Sequence, residues 1–121
     1  MSVFNDLAGS DFDPLLLDGI ILFMEDTGEG MSKVDRMLHN IEVRGLQSHI
    51  RAIIVGQFNK YKHPENGFDD MYAKLHEYTK HYGIPVCYDF PVGHAHLRNF
   101  PLLIGAKVTL EVSKEGVILH Y

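Results

Sequence analysis

The sequence predicts an α/β fold: a small parallel sheet with two crossover helices, followed by a C-terminal antiparallel hairpin. Three observations carry this reading. Two short continuous apolar runs, "GIILFM" (19–24) and "AIIVG" (52–56), have the composition of strands buried on both faces. Each run is followed by apolar residues at helical spacing. The last fifteen residues alternate in two segments around "SKEG" (113–116), the pattern of a hairpin.

The elements follow in order. After the first strand, Val34, Met37, Leu38 and Ile41 form one helical stripe. Ser32 with Asp35 three residues on is a capping pair, and Arg44-Gly45 closes the helix. The second strand, 52–56, comes next. Asn66 with Asp69 caps a second helix, whose stripe is Phe68, Met71, Tyr72, Leu75, Tyr78 and Tyr82, and Gly83 stops it. The third strand is "IPVCY" (84–88), and the hairpin strands are 107–112 and 117–121. Strand, helix, strand, helix, strand makes two right-handed crossovers, and the hairpin extends or packs against the resulting sheet.

Length and charge bound the function. The chain has 121 residues, the size of one domain (1–121), and its 45% hydrophobic content supports one packed core. Sixteen Asp and Glu against eleven Lys and Arg give a net charge of −5, which argues against a surface that tracks nucleic-acid phosphates. No apolar run approaches the roughly 20 residues needed to span a bilayer. The N-terminal "MSVFNDLAGSDFD" has no basic segment leading into an apolar one, so a signal peptide is not expected. Cys87 is the only cysteine, which fits a reducing, cytoplasmic compartment. No cofactor, nucleic-acid partner or membrane is expected.

Ligands of parallel sheets gather at the carboxyl ends of the strands. The segments just past those ends are 25–29, 57–59 and 90–99. The acidic cluster Glu25, Asp26 and Glu29 therefore shares a rim with "FPVGHAHLRNFP" (90–101). A carboxylate that accepts from an imidazole fixes its tautomer and stabilises the imidazolium. Glu25 leaves the strand directly and is better held than Glu29. His94 sits in a loop bounded by Pro91 and Pro101. A solvated strand-end carboxylate and a loop histidine would have the same spacing, so the spacing alone leaves both readings open. Gln57 is a candidate hydrogen-bond donor to substrate, and His96 a candidate rim contact. His94-Ala95-His96 could instead hold a zinc ion with Glu25 or Asp26, but no third histidine stands at ligand spacing, and no metal is expected.

A nucleophile is missing. There is no G-x-S-x-G, and none of Ser2, Ser10, Ser32, Ser48 and Ser113 falls on a strand-to-helix elbow. Cys87 lies inside a strand and is expected to be a buried, inert thiol. A base and its orienter without a nucleophile suggest half of an active site.

"GIILFMEDTGEGMSKVDRMLHNI" (19–41), "AIIVGQF" (52–58) and "IPVCYDFPVGHAHLRNFPLLIGAKVTLEV" (84–112) together resemble the C-terminal domain of the LD-carboxypeptidase and microcin-immunity family of serine peptidases. The resemblance implies a swivelling β/β/α domain and a Ser-Glu-His triad, with Glu25 in the glutamate position and His94 in the histidine position. It implies that the serine belongs to an N-terminal domain absent from these residues, so the chain alone would be inactive. The implied substrate is a peptide: a cell-wall peptide with an L-to-D linkage, or a peptidyl-nucleotide antibiotic. The segments "GMSKVDRML" (30–38) and "NKYKHPENGFDD" (59–70) depart from the family pattern. A face left open by the missing domain, bearing Phe90, Val92, Leu97 and Phe100, predicts self-association, most simply a two-fold homodimer. The alternatives are a metal-dependent hydrolase using His94 and His96, and a non-catalytic ligand-binding or interaction module of the same fold.

Overall fold

The computed structural model describes residues 1–60, 70–94 and 98–121. A short helix α1 (Ser2–Asp6) precedes β1 (Ile20–Thr27), α2 (Met31–Val43), β2 (Ile50–Asn59), α3 (Met71–Thr79) and β3 (Val86–Cys87), and the hairpin β4 (Thr109–Val112) and β5 (Val117–His120) ends the chain. The strand order is β1-β2-β3, all parallel, and the hairpin forms a separate two-stranded sheet rather than extending the first.

β2 is the central strand, with Ile50 and Ala52 to Val55 all buried. Its Ile50, Ile53, Val55 and Phe58 join Leu22 and Met24 of β1 in one cluster with α2 and α3. The helical contribution is Met31, Val34, Met37, Leu38 and Ile41 from α2, and Met71 and Leu75 from α3. These helical positions recur at intervals of three and four, so a single stripe of each helix meets the sheet. Each fully buried Leu or Ile adds roughly 1.5–3 kcal/mol of transfer free energy. Tyr78 ties the two helices together by donating its hydroxyl to the Leu38 carbonyl, and Lys74 pairs with Asp35 at 2.6 Å.

Several local expectations are corrected. α2 starts at Met31, after an extended Gly30 with no side-chain cap, so Ser32 lies inside the helix and does not cap it with Asp35. Burial of Met31 beside Val34 continues the apolar stripe back past the serine. Its C-terminal end is as expected: Arg44 is the C-cap and Gly45 takes a left-handed φ of 72°. α3 is capped by Asp70, whose carboxylate accepts from the Tyr72 amide at 3.1 Å. The expected cap at Asn66 and Asp69, and Phe68 with it, lie outside the described residues. β1 runs three residues further than its apolar run, so Glu25 and Asp26 are strand residues. β3 is cut to two residues, because Asp89 takes a φ of 53° and kinks the chain. Pairing with β2 then resumes: the Phe90 amide donates to the Val55 carbonyl, and the Gln57 amide to the Val92 carbonyl, both at 3.0 Å.

The β1–β2 register slips at one point that matters for the rim. Met24 pairs with Val55 and Asp26 with Phe58, so Glu25 alone faces both Gly56 and Gln57. This slip restores Phe58 to the helix-facing cluster.

Candidate functional site

Glu25 and His94 meet. The His94 Nδ1 lies 2.9 Å from the Glu25 Oε2, across 69 residues of sequence. Glu25 comes from β1 and His94 from the segment that continues β3, so the pair spans the central strand. Gly56 of β2 lets the Val92 backbone come close to the sheet at this point. A methyl group there would lie 2.5 Å from the Val92 carbonyl oxygen and 2.8 Å from the Phe23 ring. On the far side Gly93 pairs with Gln57 in a parallel bridge, and a methyl group on Gly93 would lie 3.0 Å from the Gln57 oxygen.

The backbone of His94 is also fixed. Its carbonyl accepts from the Asn59 side-chain amide at 2.8 Å, and the Thr27 hydroxyl donates to the Asn59 side-chain oxygen. The neighbouring Gly93 amide donates to the Asn99 side chain at 3.1 Å. Three strands thus hold one imidazole. An ionised carboxylate only accepts hydrogen bonds, so in this pair Nδ1 carries the proton and Nε2 is the basic nitrogen. The His94 side chain is 62% exposed, against 23% for Glu25. The carboxylate is sheltered while the imidazole faces outward.

The other two carboxylates of the cluster are engaged elsewhere. Asp26 accepts from the Thr27 amide at 2.8 Å and lies 3.4 Å from the Met1 amine. Glu29 pairs with Lys33 at 2.5 Å, one helical turn on, and accepts from the Ser2 hydroxyl at 3.5 Å. Gln57 lies beside Gly93 with its side-chain oxygen buried and without a hydrogen-bond partner among the described residues. His96 and Leu97 lie outside the described residues, and with them the zinc arrangement that needs His96. Among the described residues no three His, Cys, Asp or Glu side chains are grouped to hold a metal ion.

The serines have other duties. The Ser10, Ser48 and Ser113 hydroxyls donate to carbonyls of their own turns, and Ser32 is exposed on the first turn of α2. Cys87 is buried, and that burial pushes its thiol above the usual range, as expected of an inert core residue.

Sequence reasoning missed Gly56, Asn59, Thr27 and Asn99. Gly56 left a signal: an isolated glycine inside an apolar strand marks a close approach of backbone. Asn59 and Thr27 left none, since strand-end polar residues are ordinary.

Among the described residues no helix is long and apolar enough to cross a membrane. The profile of the LD-carboxypeptidase C-terminal domain family matches residues 1–110. A provisionally named carboxypeptidase of Treponema pallidum is 31% identical over 123 aligned residues, covering 99% of this chain and 35% of its own length. The microcin C7 self-immunity protein MccF of Escherichia coli is 24% identical and covered over 33% of its length. The crystal structure of a muramoyltetrapeptide carboxypeptidase from Oxalobacter formigenes superposes on 98% of this chain with a TM-score of 0.82 and 28% identity, and 41% of that chain is covered. The chain thus spans between a third and two-fifths of the length of these relatives.

Proposed function

Because the chain belongs to the LD-carboxypeptidase family as its C-terminal domain, we propose that it supplies the Glu and His of a Ser-Glu-His triad, with Glu25 and His94 in those roles. The observation that carries this is the 2.9 Å Nδ1–carboxylate contact, made from separate strands and buttressed by Asn59. The nucleophilic serine comes from an N-terminal domain outside these 121 residues, the main partner of this chain. The span of one third to two-fifths of the relatives' length supports that division.

The mechanism is acyl transfer. The serine Oγ attacks the amide carbon while His94 Nε2 takes its proton. The tetrahedral intermediate collapses, the C–N bond breaks, and Nε2 returns the proton to the leaving amine. Water then repeats the sequence on the acyl-enzyme and releases the acid. Glu25 holds the Nδ1 proton throughout and offsets the imidazolium charge. The substrate class we assign is the murein peptide with an L-to-D linkage. The likeness to the muramoyltetrapeptide carboxypeptidase, at TM-score 0.82 over 98% of the chain, supports it over the peptidyl-nucleotide class. The MccF structure aligns over 75% at 0.64. On this reading Gln57, beside Gly93, is a substrate contact, His96 is a rim contact, and the compartment is the cytoplasm.

The test joins the chain to a serine-bearing N-terminal domain of the family and follows release of the terminal D-amino acid from an LD-linked tetrapeptide. The chain alone should give no turnover, and the joined protein should. In the joined protein His94→Ala should abolish acylation and Glu25→Gln should cut kcat by about 10³–10⁴. Asp26→Asn or Glu29→Gln costing as much as His94→Ala would reject the assignment.

A further inference from the structure

We propose that Tyr72, on the first turn of α3, is a positioning residue for the Glu25–His94 pair. It would act through the slip in β2 that sets Glu25 opposite His94. The proposal rests on the reading of that pair given above and adds a residue on the opposite side of the sheet.

The slip places two β2 residues, Gly56 and Gln57, against Glu25 alone. A slip of this kind takes backbone groups out of the regular ladder, and buried backbone groups need partners. The Tyr72 hydroxyl reaches two backbone groups beside the slip. It accepts from the Phe58 amide at 3.3 Å and donates to the Gly56 carbonyl at 3.4 Å. One hydroxyl therefore bridges the residues on either side of Gln57, the residue that pairs with Gly93 next to His94.

The tyrosine is itself held. Its amide is capped by Asp70 at 3.1 Å, and its ring stands edge-on to Phe58 and Tyr88, with centroids 6.3 and 6.5 Å away. Phe58 is the first residue after the slip to return to the core cluster. The hydroxyl and the ring thus fix the same point of β2, one by its backbone and one by its side chain. Glu25 and Gly93 both take their places from the slipped register.

The test is the tautomer of His94, a readout that general loosening of the core does not move. The ring nitrogens of the ¹⁵N-labelled chain are observed by NMR at about pH 8.5, well above the free imidazole value. His94 is assigned by loss of its signals in His94→Ala. In the parent, the pair requires the Nδ1-protonated form. Glu25→Ala should release His94 to the solvent mixture, which defines the full shift. Tyr72→Phe should produce at least half of that shift and speed exchange of the Phe58 amide about tenfold or more. Tyr78→Phe, which removes a hydroxyl bond between α2 and α3 away from the slip, should leave His94 as in the parent. Asp70→Ala, which loosens the turn bearing Tyr72, should move His94 in the same direction by less.

A folded Tyr72→Phe with the parent's His94 signature overturns the proposal, as does an equal shift in Tyr72→Phe and Tyr78→Phe. Should Tyr72→Phe not fold, an unmoved His94 in Asp70→Ala overturns it. If Glu25→Ala leaves His94 unchanged, the pair itself fails, and the proposal falls with it for a different and recognisable reason.

Discussion

Gly56→Ala is the smallest change that should break the site. Gly56 does not have a left-handed φ, so backbone freedom is not why glycine stands there. Space is the reason. The added methyl carbon would meet the Val92 carbonyl oxygen at 2.5 Å and two Phe23 ring carbons at 2.8 and 3.0 Å. Ordinary contact begins at 3.4 Å, so the Val92 carbonyl must retreat by about 0.9 Å. That carbonyl accepts the Gln57 amide at 3.0 Å, and Val92 is two residues from His94. Passed on to the imidazole, a shift of this size would stretch the 2.9 Å contact with Glu25 beyond hydrogen-bond range. Overpacking of a tight site costs about 1–3 kcal/mol. Urea denaturation should show that loss as a lower midpoint at unchanged slope, and the His94 ring nitrogens should leave the Nδ1-protonated form. Adding Phe23→Leu should rescue little, because the hardest contact is with backbone. A Gly56→Ala chain within about 0.5 kcal/mol of the parent and with His94 unmoved would refute the reasoning.

Other consequences are simpler to check. The Asp13 carboxylate accepts from the Gly9 and Leu15 amides and pairs with Arg44, interactions that hold it below its usual value of 3.8. Its folded pKa is thus below the unfolded one. The stability it adds is present above about pH 3.8 and lost as pH falls through the folded value. Asp13→Asn should therefore flatten the acid limb of stability against pH in a urea series. Cys87 should react with a thiol reagent at least about a hundredfold more slowly in the native protein than in denaturant, since the buried thiol is pushed away from its reactive form. Of the residues expected on an open face, Phe100 is 54% exposed, Phe90 and Val92 are half-buried, and Leu97 lies outside the described residues. Sedimentation should show self-association of the isolated chain that Phe100→Glu weakens; a monomer at high concentration would count against it.

How far the sequence could be read depended on how local each signal was. The two buried strands and the α2 stripe announce themselves by composition and period, because their burial is decided by neighbours a few residues away. Glu25 and His94 were placed on one rim by topology, since strand ends in a parallel sheet share an edge. What escaped was whatever depends on pairing between strands. That β1 continues through Glu25, Asp26 and Thr27 cannot be seen in three polar residues. They are in the strand because β2 runs alongside as far as Asn59. The kink at Asp89 is equally silent, for Asp is unremarkable before it is found at a φ of 53°. Ser32 misled because a serine near a helix start usually caps, and here the core-facing Met31 begins the helix before it.

The same pairing explains how Glu25 and His94 can meet within this domain. At regular sheet spacing, β1 and the continuation of β3 stand roughly 9–10 Å apart, two strand intervals. A glutamate and a histidine can close that distance only if the continuation of β3 packs tightly on β2 and both backbones are fixed. Gly56 provides the first condition. The Thr27–Asn59–His94 chain and the Gln57–Gly93 bridge provide the second. All of these contacts lie within the domain, so the imidazole needs no serine to be oriented. An incoming serine-bearing domain would meet a base whose tautomer is already set and whose Nε2 faces outward. Docking then has only to align one hydroxyl with one nitrogen. That predicts a division of effects in the joined protein: changes at Gly56 or Asn59 should lower kcat with little effect on association of the domains, and a change at the exposed Phe100 should do the reverse.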